Sequence, residues 1–229
     1  MLGLGVVLST VHRRIDALVE RFLFRRQYRA DTALRRFAEE CAFITQTEAL
    51  FAQAVGEIAR HTGAPEVALY ESSAQGYACV QQRGTRALPD EVAMNDPAFV
   101  GLRARNAELD LHATQSVLGM DGYAFPLIVR GNLLGALVVG QRPGEHFAAE
   151  ERELLFHVAH EVGAALFALR AQESEARAQE SEAQARAVKA EAEVSQAQLL
   201  EARAREADAR AREAVLLDAL RTVRSATGP

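Results

Sequence analysis

The ionisable residues that crowd most closely are Glu153, His157, His160 and Glu161, in the run ERELLFHVAHE. Imidazole and carboxylate groups ligate zinc and move protons near neutral pH, so their spacing decides what they can do. A helical zinc hydrolase site needs histidines at i and i+4 with a glutamate after the first, or the inverted order with a glutamate just before the second. Here the histidines sit at i and i+3, the adjacent glutamate follows the second, and the sequence shows no third ligand. The pair reads as helix-surface or dimer-seam histidines, with a pH-sensitive seam as its functional variant. His112 falls in a polar loop, where it is either solvated or within reach of a ligand. Cys41 and Cys79 stand alone, without a CxxC pair. That excludes a disulfide framework and a thiolate metal site and points to a reducing cytoplasmic compartment. Gly3 and Gly5 follow no strand and make no phosphate cradle. No nucleophile elbow is present, so the chain is expected not to be an enzyme and to hold no metal.

The elements that carry these residues follow from periodicity. From Val11 to Arg36 apolar residues recur at helical spacing, with Ile15, Leu18, Val19 and Phe22 on one side and arginines opposite. Asp31 is a candidate cap, and Leu34, Phe37, Ala38, Cys41 and Ile44 continue an apolar stripe. Thr47 starts a second helix whose face is Leu50, Phe51, Ala54, Val55 and Ile58, closed by Gly63 with Pro65 beyond. Strands are expected at Glu66–Glu71 and Tyr77–Gln82, joined by a turn at Ser72–Gly76. Asp96-Pro97 opens a short helix to about Arg103, proline being at home in a first helical turn. A short strand at Glu108–His112 and a loop at Thr114–Gly122 follow. Apolar runs Tyr123–Val129 and Leu133–Val139 flank Arg130-Gly131-Asn132, a hairpin in which Gly131-Asn132 is expected to supply the positive φ angles. Pro126 inside the first run implies an edge or a bulge. Pro143-Gly144 then turns the chain into a helix near Phe147. The order describes an α+β domain, one antiparallel sheet with helices packed on it, plus long N- and C-terminal helices.

Charge is unevenly placed. Within residues 1–36 eight arginines oppose Asp16, Glu20 and Asp31, a local balance of +5 that leaves −10 elsewhere in a chain of formal net charge −5. The overall balance gives no case for nucleic-acid binding. Met1–Leu8 is apolar but far short of the ~20 residues of a membrane span, and a signal peptide is not expected because no basic segment precedes it. Two readings of the basic helix remain open: a signalling or dimer helix packed on the next domain, and a juxtamembrane segment beside anionic lipid.

From Ala171 the character changes. AQESEAR at 171–177 is followed by AQESEAQ, and EARAREA at 201–207 by DARAREA, both seven-residue repeats. Ala176, Ala183, Ala190, Ala197, Ala204 and Ala211 share one heptad position, while Glu173, Glu180, Glu201 and Asp208 occupy the place of the second seam residue. Alanine, glutamate and arginine favour a helix, but alanine buries little area in a coiled-coil seam. Association is expected to be strongest at the two ends of this helix and weak in its middle.

Residues 34–170 resemble a GAF domain, a small-molecule sensor module of bacterial signalling proteins. The resemblance is carried by Pro126, Leu127, Gly135 and Leu137 in the hairpin, and by Phe147, Glu150, Leu154, Leu155, Ala159, Ala165 and Leu166 in the helix after it. It covers about 60% of the chain. It implies a pocket between the sheet and the loops crossing it, lined here by Tyr70, Tyr77, Phe99, His112, Ser116 and Tyr123. The chain lacks the NKFDE-like motif of the cyclic-nucleotide branch, a cysteine after residue 84 for bilin attachment, and the three cysteines of the sulfoxide-reducing branch. The cofactor, if there is one, stays unknown. The resulting division is a basic juxtamembrane-like linker at 1–33, a GAF-like domain at 34–170 and a coiled-coil helix at 171–229. The expected function is a sensory and dimerisation module relaying a small-molecule or interaction signal through its C-terminal helix. Its expected partners are a second copy joined through the N- and C-terminal helices in parallel, a small-molecule ligand and a partner signalling protein. The expected location is cytoplasmic, on the inner face of a membrane in the juxtamembrane reading. The alternative is a structural adaptor whose domain binds no ligand.

Overall fold

A computed structural model describes residues 29–226, with side chains to residue 212. The basic stretch before residue 29, with the juxtamembrane reading attached to it, and the apolar side chains from Val215 to Leu220 lie outside the described residues. The chain divides into two compact units, residues 1–171 and 172–229.

The first unit opens with helix α1, residues 29–40, followed by a single 3-10 turn, Cys41–Phe43. Asp31 lies inside α1, so it is not the cap expected from the sequence. Helix α2, Thr47–Thr62, buries Leu50, Phe51, Ala54, Val55 and Ile58, which fall on one stripe at 3.6 residues per turn. It ends as the sequence indicates: Gly63 takes φ +67°, and its N–H donates to the Ala59 carbonyl.

The strands are β1 (Glu66–Ser72), β2 (Gly76–Gly84), β3 (Glu91–Ala93), β4 (Leu109–Asp110), β5 (Gly122–Val129) and β6 (Asn132–Gly140), with helix α3 (Pro97–Arg105) between β3 and β4. They form one antiparallel sheet in the order β3-β2-β1-β6-β5-β4. The three-residue strand β3 has too few residues to show an alternation and was not expected.

The β5–β6 hairpin closes one residue earlier than Gly131-Asn132 suggests. Val129 pairs with Asn132, so the two loop residues are Arg130 at φ +52° and Gly131 at φ +80°. Positive φ at both central residues is the primed turn whose twist matches a hairpin. A bulge between Leu127 and Ile128 absorbs the shifted register. Pro126 is accommodated because β4 pairs β5 only at Tyr123 and Ala124, so no ladder bond from β4 is asked of the proline.

The last helix, α4, runs Ala149–Ala226. Its start is fixed by Glu151, which accepts from the Ala148 N–H at 2.8 Å, as the N3 glutamate of a capping box does, and takes both bonds from Arg142 at 3.0 Å. One 18-residue window of α4 is apolar enough to cross a membrane by length and composition, with mean hydropathy 1.3. Half of that window is buried in the structure. Leu154, Leu155, Val158, Ala159, Val162, Ala165, Leu166 and Leu169 account for the burial, packing with α1 and α2 on Val67, Leu69, Phe125, Leu127, Leu137 and Val139 of the sheet. In the second unit every described side chain is exposed. The helix there is supported by ion pairs of an acid with an arginine four residues on: Glu173–Arg177, Glu182–Arg186, Glu201–Arg205 and Glu206–Arg210.

Candidate functional site

The sheet face opposite the helices is where the sequence placed a ligand. Its floor is made of small side chains, Ala68, Ala124 and Ala136, with Val138, all fully buried or nearly so. Tyr70 and Tyr77 rise from β1 and β2, and Phe99 comes down from α3. Phe99 stacks on Tyr77 with ring centroids 4.0 Å apart and meets Tyr70 edge-on at 5.9 Å. The Tyr70 hydroxyl donates to the Pro89 carbonyl at 2.8 Å. Burial pushes the Tyr70 phenol well above its ordinary range, and the neighbouring Cys79 adds to the shift. Aromatic pairs of this geometry contribute about 0.5–1.5 kcal/mol each beyond their buried area.

The face is closed from outside by the segment 111–121. Leu111, Leu118 and Met120 point inward and are buried in the same cluster as the aromatics. One carboxylate holds this segment. Asp96, only 5% exposed, caps α3 by accepting from the Ala98 N–H at 2.9 Å. The same Asp96 accepts from the Ser116 hydroxyl at 2.8 Å and the Val117 N–H at 3.1 Å. The Arg86 guanidinium donates to the Gly119 carbonyl at 2.7 Å, a second tie on the same segment. A capping residue therefore also fastens a loop about twenty positions away in sequence.

The six candidate residues do not form one lining. Tyr70 and Tyr77 both pack on Phe99, and the three side chains are buried. Ser116 is spent on Asp96. His112 stands at the surface, its Nδ1 2.8 Å from Asp121 Oδ1, and that carboxylate raises the imidazole pKa above its ordinary 6.5. Tyr123 lies on the other face, where it packs edge-on against Phe147 at 6.2 Å under the Arg152 guanidinium. Strand parity explains this: Tyr123 alternates with Phe125 and Leu127, both against the helices. A groove of about 320 Å³ does occur, between α2 and the sheet, lined by Thr47, Glu48, Phe51, Glu71, Val80 and Gln81. None of the six candidates lines it.

The GAF domain family model matches residues 46–166, more than half of the chain. The chain belongs to the GAF domain family. No curated protein matches it. Among solved structures, the GAF domain of a phosphoenolpyruvate-protein phosphotransferase from Coxiella burnetii is similar at TM-score 0.54 and 20% identity, covering 65% of this chain and 98% of that one. The corresponding GAF domain from Acinetobacter gives TM-score 0.51 and 16% identity, covering 61% of this chain and 93% of that one. A free methionine-R-sulfoxide reductase from Neisseria meningitidis, in complex with its substrate, gives 0.53 and 16%, covering 61% and 89%. At these identities the likeness is one of fold. It establishes the α+β GAF architecture, and membership of the family supports the general character of a sensory or regulatory module.

The two cysteines of this GAF domain lie on opposite sides of the sheet. Cys41 is fully buried among α1, α2 and α4, and desolvation pushes its thiol up to about 12. Cys79 is half-buried beside Tyr70, again with its pKa raised by desolvation. Neither is held as a reactive thiolate. His157 and His160 are exposed on α4. Among the described residues no group of three or more His, Cys, Asp or Glu side chains is arranged to hold a metal ion.

Sequence reasoning missed Asp96 as a loop anchor, and Leu118 and Met120 as the plugs it holds. Asp96 was legible as a cap, but its bonds to Ser116 and Val117 depend on chain folding back. Leu118 and Met120 carried a faint signal, as large apolar residues in an otherwise polar glycine-bearing stretch.

Proposed function

We propose that this GAF domain is a non-enzymatic regulatory module that associates with a second copy through α4 and relays an interaction signal, rather than a small-molecule signal, along that helix. The observation that carries this reading is the closed face: Tyr70, Tyr77 and Phe99 are at most 2% exposed, and Leu118 and Met120 occupy the remaining room over the alanine floor. A ligand there displaces core side chains that are already packed, at a cost in stability that its own contacts must exceed. The closed face supports the ligand-free domain of the adaptor reading, joined here to relay through α4.

Self-association draws its support from the second unit. The alanine register at seven-residue spacing lets two helix backbones approach closely, and Val194 on the second seam position and Leu200 beside it are 57% and 60% exposed in the single chain. The acidic residues in the second seam position weaken the middle of such a contact, and the intrahelical ion pairs keep the helix formed there regardless. Native mass spectrometry of the full chain tests both parts. The expected result is a homodimer whose mass contains no added small molecule. A monomer, or a dimer carrying a stoichiometric small molecule, overturns the proposal.

A further inference from the structure

The end of α4 within the first unit is gripped at two points, and one of them breaks a local rule of turn chemistry. Arg130 is the first central residue of the β5–β6 turn, with φ +52°. Glycine, asparagine or aspartate is the usual occupant of such a position, because a longer side chain is strained in the left-handed region. What the arginine gains is contact: its guanidinium lies over the Phe167 ring at 5.2 Å from the centroid. One helical turn further on, the half-exposed Arg170 donates to Glu71 of β1 at 2.6 Å. Near its end this helix also seats on the sheet by apolar packing, with Gly163 riding on Leu127. Two cationic contacts therefore add directed bonds to the apolar seat of Leu166 and Leu169 in the last turns before residue 172.

Glu71 has a second significance. It follows Tyr70 directly, and the pleat of β1 sends the two consecutive side chains to opposite faces of the sheet. Tyr70 belongs to the aromatic cluster under the loop, and Glu71 to the grip on α4. We propose that Arg130 and Glu71 form a two-point clasp on Phe167 and Arg170, and that strand β1 passes changes in the loop-covered face to α4 through it. The inference rests on the relay reading above and supplies its mechanical link.

Hydrogen exchange on the full chain, followed at the amides of residues 163–171, is the test. Arg130→Gly relieves the turn and removes the grip, so the two effects separate. The hairpin amides are expected to become better protected, while exchange at 163–171 rises about threefold. Glu71→Gln is expected to raise the same amides by about threefold, and the charge swap Glu71→Arg with Arg170→Glu to restore them. Phe99→Leu, which loosens the loop-covered face without touching α4, is expected to raise exchange at 163–171 as well as at 111–121. Unchanged exchange at 163–171 in Arg130→Gly and Glu71→Gln overturns the clasp, and so does a charge swap that restores nothing. Loosening confined to 111–121 in Phe99→Leu overturns the transmission. If a variant loses protection throughout the sheet, the charge swap alone decides. Native mass spectrometry on the same samples keeps the two proposals apart: a monomer with the expected exchange fails the association reading only, and a dimer with unchanged exchange fails the clasp only.

Discussion

Toward the helices the sheet presents Val67, Leu69, Phe125, Leu127, Leu137 and Val139, and toward the loop it presents Ala68, Ala124 and Ala136 beside Tyr70, Tyr77 and Val138. The first set is large, uniform and covered by continuous helical stripes, so its closure follows from secondary structure alone. The second set is shallow, and it is closed by pieces brought from separate places: a ring from α3, two plugs from an irregular segment, and a carboxylate to hold that segment down. A face assembled this way depends on a few directed bonds rather than on many equivalent contacts. It is the face at which this GAF domain can be altered without dismantling the helical layer, which is why a regulatory reading centres there.

The comparison is tested most severely by truncating one anchor on each side. Phe99→Ala removes a fully buried ring that touches both tyrosines, and Leu155→Ala removes a side chain 1% exposed on the helical side. Each is expected to destabilise the domain by about 3–5 kcal/mol in urea unfolding. A cost below about 1 kcal/mol for Phe99→Ala alone, on the same scale, means that the loop-covered face is not packed as described and has room for a ligand. Next in size is Asp96→Ala, which strips the α3 cap and both loop bonds together. It is expected to cost about 1–3 kcal/mol and to raise exchange selectively across 111–121, since the helical layer shares none of these bonds. Uniform loss of protection on both faces contradicts the division between them.

The smallest effect concerns the rim of the loop. His112 is exposed, and Asp121 raises its folded pKa above 6.5 through a direct hydrogen bond and its charge. A raised folded pKa contributes stability that is complete below the unfolded pKa and is lost as pH rises through the folded value. NMR titration is expected to place His112 above 6.5, with Asp121→Asn returning it toward that value. No shift on that substitution removes the His112–Asp121 contact from the description of the closed loop.

Much of this architecture is legible in local pattern. The stripe Leu50–Ile58, the αL glycine at 63 and the uninterrupted helix formers after Phe147 each express one short-range rule, and each element forms where that rule places it. Strand parity even contained the correct side for Tyr123, had its alternation with Phe125 and Leu127 been weighed above its loop-proximal position. Less legible was the hairpin turn, because asparagine and glycine together suggest the usual pair of positive φ angles. The register instead follows the bulge at Leu127, which gives the strained position to Arg130.

By itself the sequence determined the helices, the hairpin, the membership of an α+β sheet fold and the seven-residue order of the second unit, because these depend on residues within a few turns of one another. Only the tertiary structure decided that Tyr70, Tyr77 and Phe99 close on each other, that Asp96 reaches Ser116, and that Arg130 and Glu71 take hold of α4. These contacts join positions up to about a hundred residues apart, where no periodicity links one partner to the other. Their existence depends on the sheet bringing distant strands within hydrogen-bond reach.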